Sequence, residues 1–341
     1  MKELTIAIPS YNSEQFLAKA LDSMCGFDDR LEVIVINDGS TDGTSKIAHE
    51  YEEKYPDIVR VIDKENGGHG SGINRGLKEA TGRFYKVVDS DDWITTENLK
   101  PILDKMETLE NIDTIIMGFK TVNISNGVVL SYMPHCTCEN RVIDMIKLEE
   151  HYDDVSKCLD FHSMCFSTSF LRSIDFSVSE HVFYEDQEFA VLPFVHTDWI
   201  VIFPETFYEY RIGDVNQSTN FKNQAKKAVQ HETVVKKMLE YYAAHKPMGI
   251  AREKFLQRRL ATAVTSNYAI WLVKNPNKAE GKQKATEFHT YIQETQPTIA
   301  KLTEKRYNLL LKASHFKKAA SYYGKLYNSK TYAKFKEKWT K

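Results

Sequence analysis

Tyr85-Lys86-Val87-Val88-Asp89-Ser90-Asp91-Asp92-Trp93 reads as a buried strand that ends abruptly in three carboxylates within four positions. Carboxylate oxygens are hard ligands suited to Mg2+ or Mn2+, and Mg2+ sites commonly combine one or two protein carboxylates with substrate phosphates. The cluster therefore points to a metal-bridged phosphate ester, most simply a nucleoside diphosphate. Aspartate is equally at home in turns and at helix N-caps, so the reading depends on what surrounds the cluster.

Towards the N-terminus, short apolar runs alternate with helical periodicity. Strands are expected at residues 4–8, 32–36, 58–62 and 84–88. Between them, Phe16, Leu17, Ala20, Leu21 and Met24 fall at helix spacing behind an Asn12 or Ser13 cap, followed by Ile47, Ala48, Tyr51 and Tyr55, then Ile73, Leu77 and Ala80. Such a βαβαβαβ series predicts an α/β fold with a mostly parallel sheet and helices on both faces. Ligands in such sheets sit at the carboxyl ends of the strands. Those ends are Pro9-Ser10-Tyr11-Asn12, Asn37-Asp38-Gly39-Ser40, Asn66-Gly67-Gly68 and Asp89-Ser90-Asp91-Asp92.

Beyond this region, Leu99, Ile102, Leu103, Met106 and Leu109 predict a helix and residues 113–119 a strand. Asn126-Gly127 predicts a hairpin with a type I′ turn, which needs positive φ at both central residues. After about residue 220, Lys, Ala, Gln, Glu and Leu dominate, and a helical C-terminal domain is expected. The Gly67-Gly68-His69-Gly70-Ser71-Gly72 loop satisfies neither GxGxxG nor the GK[ST] ending of a P-loop; tight turning explains it more simply than phosphate binding.

The chain has 341 residues, 42% of them hydrophobic and 27% charged, as in an ordinary globular protein of about two domains. The net charge of −2 hides an asymmetry. From Lys305 to Lys341, eleven Lys and Arg face Glu337 alone, a net +10, leaving −12 for the rest. Interleaved with Tyr307, Phe316, Tyr322, Tyr323, Tyr327, Tyr332, Phe335 and Trp339, this tail suits peripheral contact with an anionic membrane or self-association. No recognised module frames the charge for nucleic acid. The first core strand begins too early for a signal peptide, and no run reaches 18 apolar residues. A cytoplasmic location follows, with peripheral contact at the inner face of the plasma membrane. Five cysteines without CxxC spacing are expected as reduced thiols.

The segments Ile6-Ala7-Ile8-Pro9-Ser10-Tyr11-Asn12, Glu32-Val33-Ile34-Val35-Ile36-Asn37-Asp38-Gly39-Ser40-Thr41-Asp42-Gly43-Thr44, Glu65-Asn66-Gly67-Gly68, Asn74-Arg75-Gly76 and Asp89-Ser90-Asp91-Asp92-Trp93 appear in this order. Together they resemble a family 2 glycosyltransferase of the GT-A fold over the first third of the chain. The resemblance implies a Rossmann-like GT-A catalytic domain over 1–218 and a mainly α-helical domain over 219–341. It places Pro9, Ser10, Tyr11, Asp38, Asn66, Asn74, Asp89 and Ser90 around the nucleotide, with Tyr11 stacking on the base. Asp91 and Asp89 form the DxD element that holds Mn2+ or Mg2+, with Asp91 the direct ligand. One departure is Ile73, where many relatives carry Arg; Arg75 follows it.

In Phe183-Tyr184-Glu185-Asp186, the resemblance makes Asp186 the general base, with Glu185 beside it. A sugar hydroxyl attacking an anomeric carbon must lose its proton as the bond forms, and a carboxylate within reach can take it. Arg211 and His181 are assigned to diphosphate or acceptor contacts. The implied activity is inverting, metal-dependent transfer from a nucleotide-sugar donor, a UDP-sugar, to a hydroxyl of a glycan, lipid-linked or protein-linked acceptor. Two alternatives remain open. A sugar-phosphate nucleotidyltransferase would carry a basic Gly-rich loop after the first strand, where this chain has Pro9-Ser10-Tyr11-Asn12. A non-catalytic nucleotide-sugar-binding scaffold of a membrane glycan-assembly complex would keep the pocket without turnover.

Overall fold

A computed structural model describes residues 1–214 and 221–314. The chain divides into two compact units, Met1–Gly213 and Asp214–Lys341. The expected boundary at 218/219 and the tail from residue 315 onward lie outside the described residues.

The first unit is built on strands β1 (Leu4–Ser10), β2 (Leu31–Asp38), β3 (Val59–Lys64), β4 (Phe84–Val87), β5 (Trp93–Ile94), β6 (Thr114–Asn123), β7 (Val129–Tyr132), β8 (Val142–Ile143), β9 (Met164–Ser167) and β10 (Ile200–Ile212). Their order is β3-β2-β1-β4-β9-β6-β10-β5, with β7 on β6 and β8 on β10. The first four are parallel throughout, in the register Ile6↔Val33 and Ile6↔Lys86. Strand β9 then enters antiparallel to both β4 and β6, while β10 runs parallel to β6. Every residue of β1 and β2 is buried, which explains why both read as mainly apolar runs.

Helices α1 (Leu17–Asp22), α2 (Thr44–Lys54), α3 (His69–Glu79) and α4 (Thr96–Glu107) cross between the strands. The core joins Ile6, Ile8, Val33 and Val35 to Leu17, Leu21, Leu99 and Leu103. Each such side chain contributes about 1.5–3 kcal/mol on burial. Helix α3 lies very close to the sheet at Gly76. A Cβ there would stand 2.6 Å from Ala7 Cβ and 2.7 Å from Tyr85 Oη.

Three sequence expectations change. Helix α1 starts at Leu17 with no side-chain cap, because Ser13 Oγ pairs with Ser90 Oγ and the Asn12 side chain accepts from the Thr41 amide. The β6–β7 hairpin forms, but Gly127 alone of the central pair has positive φ (+69°); the turn spans four residues and closes through Asn123 N to Val128 O. Cys136 and Cys138 are disulfide-bonded rather than free, since the turn between them brings their Cα atoms to 5.2 Å. Cys25, Cys158 and Cys165 are buried thiols.

The second unit is helical as expected. Its elements are Phe221–Lys226, Ala228–Ala244, Ile250–Ala269, a π-helical turn Ile270–Lys274, Lys278–Thr295 and Pro297–Ala313. Val234, Val235, Met238, Leu256, Leu260, Val264, Phe288 and Ile292 are among its buried residues. No helix among the described residues is long and apolar enough to cross a membrane.

Candidate active site

The carboxyl ends of β1, β2 and β4 meet over one face of the first unit, and Asp89–Asp92 form the turn beyond β4, closed by the Asp92 amide donating to Asp89 O at 3.0 Å. The three carboxylates have different surroundings. Asp92 is buried; its Oδ2 accepts from the Tyr208 hydroxyl at 2.5 Å and its Oδ1 from the Arg211 amide at 2.7 Å. Burial and the neighbouring charges of Asp89 and Asp91 raise its pKa well above the usual range. Asp92 therefore pins β10 to the turn. Asp91 faces the Arg211 guanidinium at 3.3 Å. Asp89 accepts from His69 Nε2 at 3.0 Å through Oδ1. Burial opposes ionisation of Asp89, but His69, His162 and Lys86 outweigh it and hold its pKa below the usual value.

A second group of acids arrives from residues 178–188. The helix Asp186–Val191 begins with Glu185 and Asp186, after His181 and Tyr184 have turned the chain with φ of +57° and +77°. Asn74, in α3, clasps this segment, donating to Val178 O at 3.0 Å and accepting from the Val178 amide at 2.9 Å. Glu188 closes it from the other side, accepting from the Ser179 amide and hydroxyl. The approach requires Gly70, where a Cβ would lie 2.0 Å from Ser179 O. Glu185 is buried and its Oε1 accepts from His69 Nδ1 at 2.7 Å. Burial, then the charges of Glu185, Asp160 and Asp89, push the Asp186 carboxyl up to about 8, with His69 opposing. A carboxyl so tuned can accept a proton near neutral pH.

The expected nucleotide residues divide into exposed and buried. Tyr11 is 53% exposed and offers its ring to solvent, whereas Pro9 and Ser10 are buried, with Ser10 Oγ bonded to Ile8 O. Ser90 Oγ pairs with Ser13 Oγ at 2.6 Å. Asp38 is 3% exposed, and its carboxylate accepts from the Gly67 and Gly68 amides and from Lys64. Asn66 donates to the Asp38 carbonyl. Two amides of the Gly-rich loop thus serve a side chain of the protein itself. Ile73 is buried, and Arg75 pairs with Glu79 one helical turn away. His181 is exposed, with its backbone amide bonded to Gly67 O.

Three residues not assigned to the site from the sequence lie beside Asp89: His69 and His162, which could serve as metal or acceptor ligands but read more simply as ordinary histidines, and Lys86. Lys86, inside β4, is fully buried and donates to His162 O at 2.7 Å and Met164 O at 3.1 Å. A lysine interrupting an apolar run was the available signal.

The residues present fit a divalent cation. Ligand atoms of Asp89, Asp92 and His162 lie within 4.8 Å of one another. His162 Nδ1 is buried without a hydrogen-bond partner among the described residues, and burial lowers the pKa of the ring, keeping it neutral. Hard oxygens with one imidazole suit Mn2+ better than Mg2+, which prefers oxygen ligands alone. Asp89 is common to this group and to the expected DxD pair, while Asp91 stands outside the group beside Arg211. A cavity of about 90 Å3 lined by Gln15, Phe16, Lys19, Asp91, Trp93, Ile124 and Arg211 adjoins the turn. A larger one, about 480 Å3, lies at the amino ends of the strands among Phe27, Tyr55 and Ile58 and contains none of the site's carboxylates.

Residues 5–182 match the family described as Glycosyl transferase family 2, and the chain belongs to that family. Over 218 residues it is 28% identical to the poly(ribitol-phosphate) beta-N-acetylglucosaminyltransferase TarS of Staphylococcus aureus, covering 62% of this chain and 35% of that protein. Over 160 residues it is 29% identical to the glycosyltransferase GlyA of Streptococcus pneumoniae, covering 47% and 23%. The chain thus spans between 23% and 35% of the length of these curated relatives. In structure it resembles S. aureus TarS 1-349 in complex with UDP-GlcNAc, with a TM-score of 0.67 at 20% identity over 95% of this chain and 92% of that one. The mannosyltransferase PcManGT from Pyrobaculum calidifontis, in complex with GDP-Man and Mn2+, gives a TM-score of 0.51 at 16% identity over 92% of this chain and 85% of that one.

 At these identities the structural likenesses show the fold, a mixed α/β GT-A sheet with a helical C-terminal region.

Proposed function

We propose that the protein is an inverting, metal-dependent glycosyltransferase that moves a sugar from a UDP-sugar to a hydroxyl of a surface glycan or related polymer. The observation that carries this reading is the meeting of two acid groups over one face: a strand-tip Asp-x-Asp, and a carboxyl at Asp186 whose pKa is raised to about 8. Asp186 takes the proton of the attacking hydroxyl, and Tyr11 offers the exposed ring for the base. Asp89, with Asp91 or with Asp92 and His162, would hold Mn2+ or Mg2+, which when bound supplies positive charge for the departing diphosphate. One displacement with one base inverts the anomeric carbon. The relative TarS, solved with UDP-GlcNAc and named for a poly(ribitol-phosphate) acceptor, supports a UDP-sugar donor and a polymeric acceptor.

The direct test is calorimetric titration of UDP, GDP, dTDP and CDP, with and without Mn2+, into wild type, Asp91→Ala and Asp89→Ala. Metal-dependent preference for UDP, weakened at least tenfold in Asp89→Ala, is expected, and Asp91→Ala tells which ligand set operates. Asp186→Asn keeps UDP binding and loses transfer. Well-folded protein that binds none of the four nucleotides would sink the reading and favour a scaffold role.

Membrane contact through the basic C-terminus is part of the proposal. The exposed Lys301, Leu302, Lys305, Arg306, Leu309 and Lys312 share a helical face just before the tail. Cosedimentation with phosphatidylserine vesicles should fall when salt is raised to 0.5 M, on the order expected from screening, and binding that ignores salt would remove this element.

A further inference from the structure

His69, the first residue of α3, lies between carboxylates from opposite halves of the site. Its Nδ1 is 2.7 Å from Glu185 Oε1 and its Nε2 3.0 Å from Asp89 Oδ1. The ring is held in orientation by Phe161, edge-on at 6.2 Å between centroids, and Phe161 is itself edge-on to Phe189 of the helix that starts at Asp186. His69 is the hydrogen-bond partner of the Glu185 carboxylate among the described residues, since Glu185 Oε2 is buried without one. The close seating of Gly70 under Ser179 brings the two segments near enough for this bridge.

We propose that His69 is a positioning residue: it ties Asp89, on the donor side, to Glu185, and through the Glu185-Asp186 peptide it sets where the base carboxyl stands. The proposal rests on the glycosyltransferase reading above. With this tie, Asp89 and Glu185 are registered to each other directly through one side chain, on top of the Asn74 clasp that holds α3 to the same segment, rather than by the long loop between them.

Two conservative variants separate the halves of the bridge. The amide nitrogen of Asn occupies roughly the place of Nδ1, and that of Gln roughly the place of Nε2. In the full chain, His69→Asn keeps the hold on Glu185 and releases Asp89; His69→Gln does the reverse. The readouts are the Kd for UDP with Mn2+ and the rate of UDP release from saturating UDP-GlcNAc. Loss of a hydrogen bond to a charged group corresponds to roughly tenfold or more. His69→Asn is therefore expected to weaken UDP binding about tenfold with the smaller effect on turnover, His69→Gln to lower turnover about tenfold with the smaller effect on affinity, and His69→Ala to lose both.

A residue that only stabilises the fold would lower the melting temperature and move both quantities together in all variants. Equal effects of Asn and Gln, or none, would overturn the proposal; where donor hydrolysis is too slow to read, equal UDP affinities of the two variants suffice. Failure of wild type to bind any nucleoside diphosphate would instead overturn the glycosyltransferase reading, and this proposal with it.

Discussion

Replacing Lys86 by Met removes a buried cation from the strand that leads into the Asp89–Asp92 turn, and its effect on stability has a defined pH signature. The ammonium is fully buried, donates to the carbonyls of His162 and Met164, and lies 5.7 and 5.4 Å from the ring centres of Phe207 and Tyr208. Burial lowers its pKa from the ordinary 10.5 to about 8, with Cys165 and Asp89 opposing. Between these values the unfolded chain binds a proton that the folded chain does not, so folding stability rises with pH across the window. The contribution is complete above the unfolded pKa and is lost as pH falls through about 8. A shift of about 2.5 units corresponds to roughly 3 kcal/mol.

Urea unfolding between pH 7.5 and 10.5, in a Trp271→Phe, Trp339→Phe background so that fluorescence reports Trp93 and Trp199, measures this slope. Wild type should gain about 3 kcal/mol relative to Lys86→Met across the range, whatever their offset at pH 7.5. Parallel pH profiles for the two proteins would refute the reasoning, because they would mean that Lys86 carries the same proton folded and unfolded.

Two further outcomes follow from the site. As the proposed general base, Asp186 must be deprotonated to act, so kcat/KM should climb with pH along a limb at or below about 8, moving lower as Mn2+ is raised, because the Asp89 charge is one cause of the elevated pKa; a flat profile from pH 6 to 9 would count against Asp186 as the base. Gly70→Ala should cost about 1–3 kcal/mol in stability and at least tenfold in turnover by displacing Ser179, measured by thermal melting and donor turnover; wild-type values for both would show that the contact is slack.

The sequence was most legible where burial is two-sided. β1 and β2 are buried along their whole length, so each reads as one mainly apolar run, and the helices between them keep a clear period. The reading weakened at β9, only four residues long, and at β10, whose pairing with β6 shifts register near Thr206. Residue type marked the Asp89–Asp92 cluster and the family resemblance marked Asp186, but neither told what occupies their oxygens. Asp38 illustrates the gap: an acid at a strand end looks available for ligand, yet its oxygens are engaged by loop amides and Lys64. His69 could be seen only as one of several histidines able to serve as a ligand, because its partners lie 20 and 116 residues away. The Cys136–Cys138 disulfide was missed because spacing rules say little about a local turn that brings two thiols together.

The contact of Gly76 with Ala7 and Tyr85 limits how this part of the site can be altered. Position 76 already has no side-chain carbon to surrender, and Ala7 has only its methyl, so a larger residue at either place cannot be offset by trimming the other. The Tyr85 hydroxyl closes the same gap and is bonded to Ile73 O. Redesign of donor preference is therefore freest at exposed Tyr11, while the α3–β1 seam behind it sets a boundary that substitutions must respect.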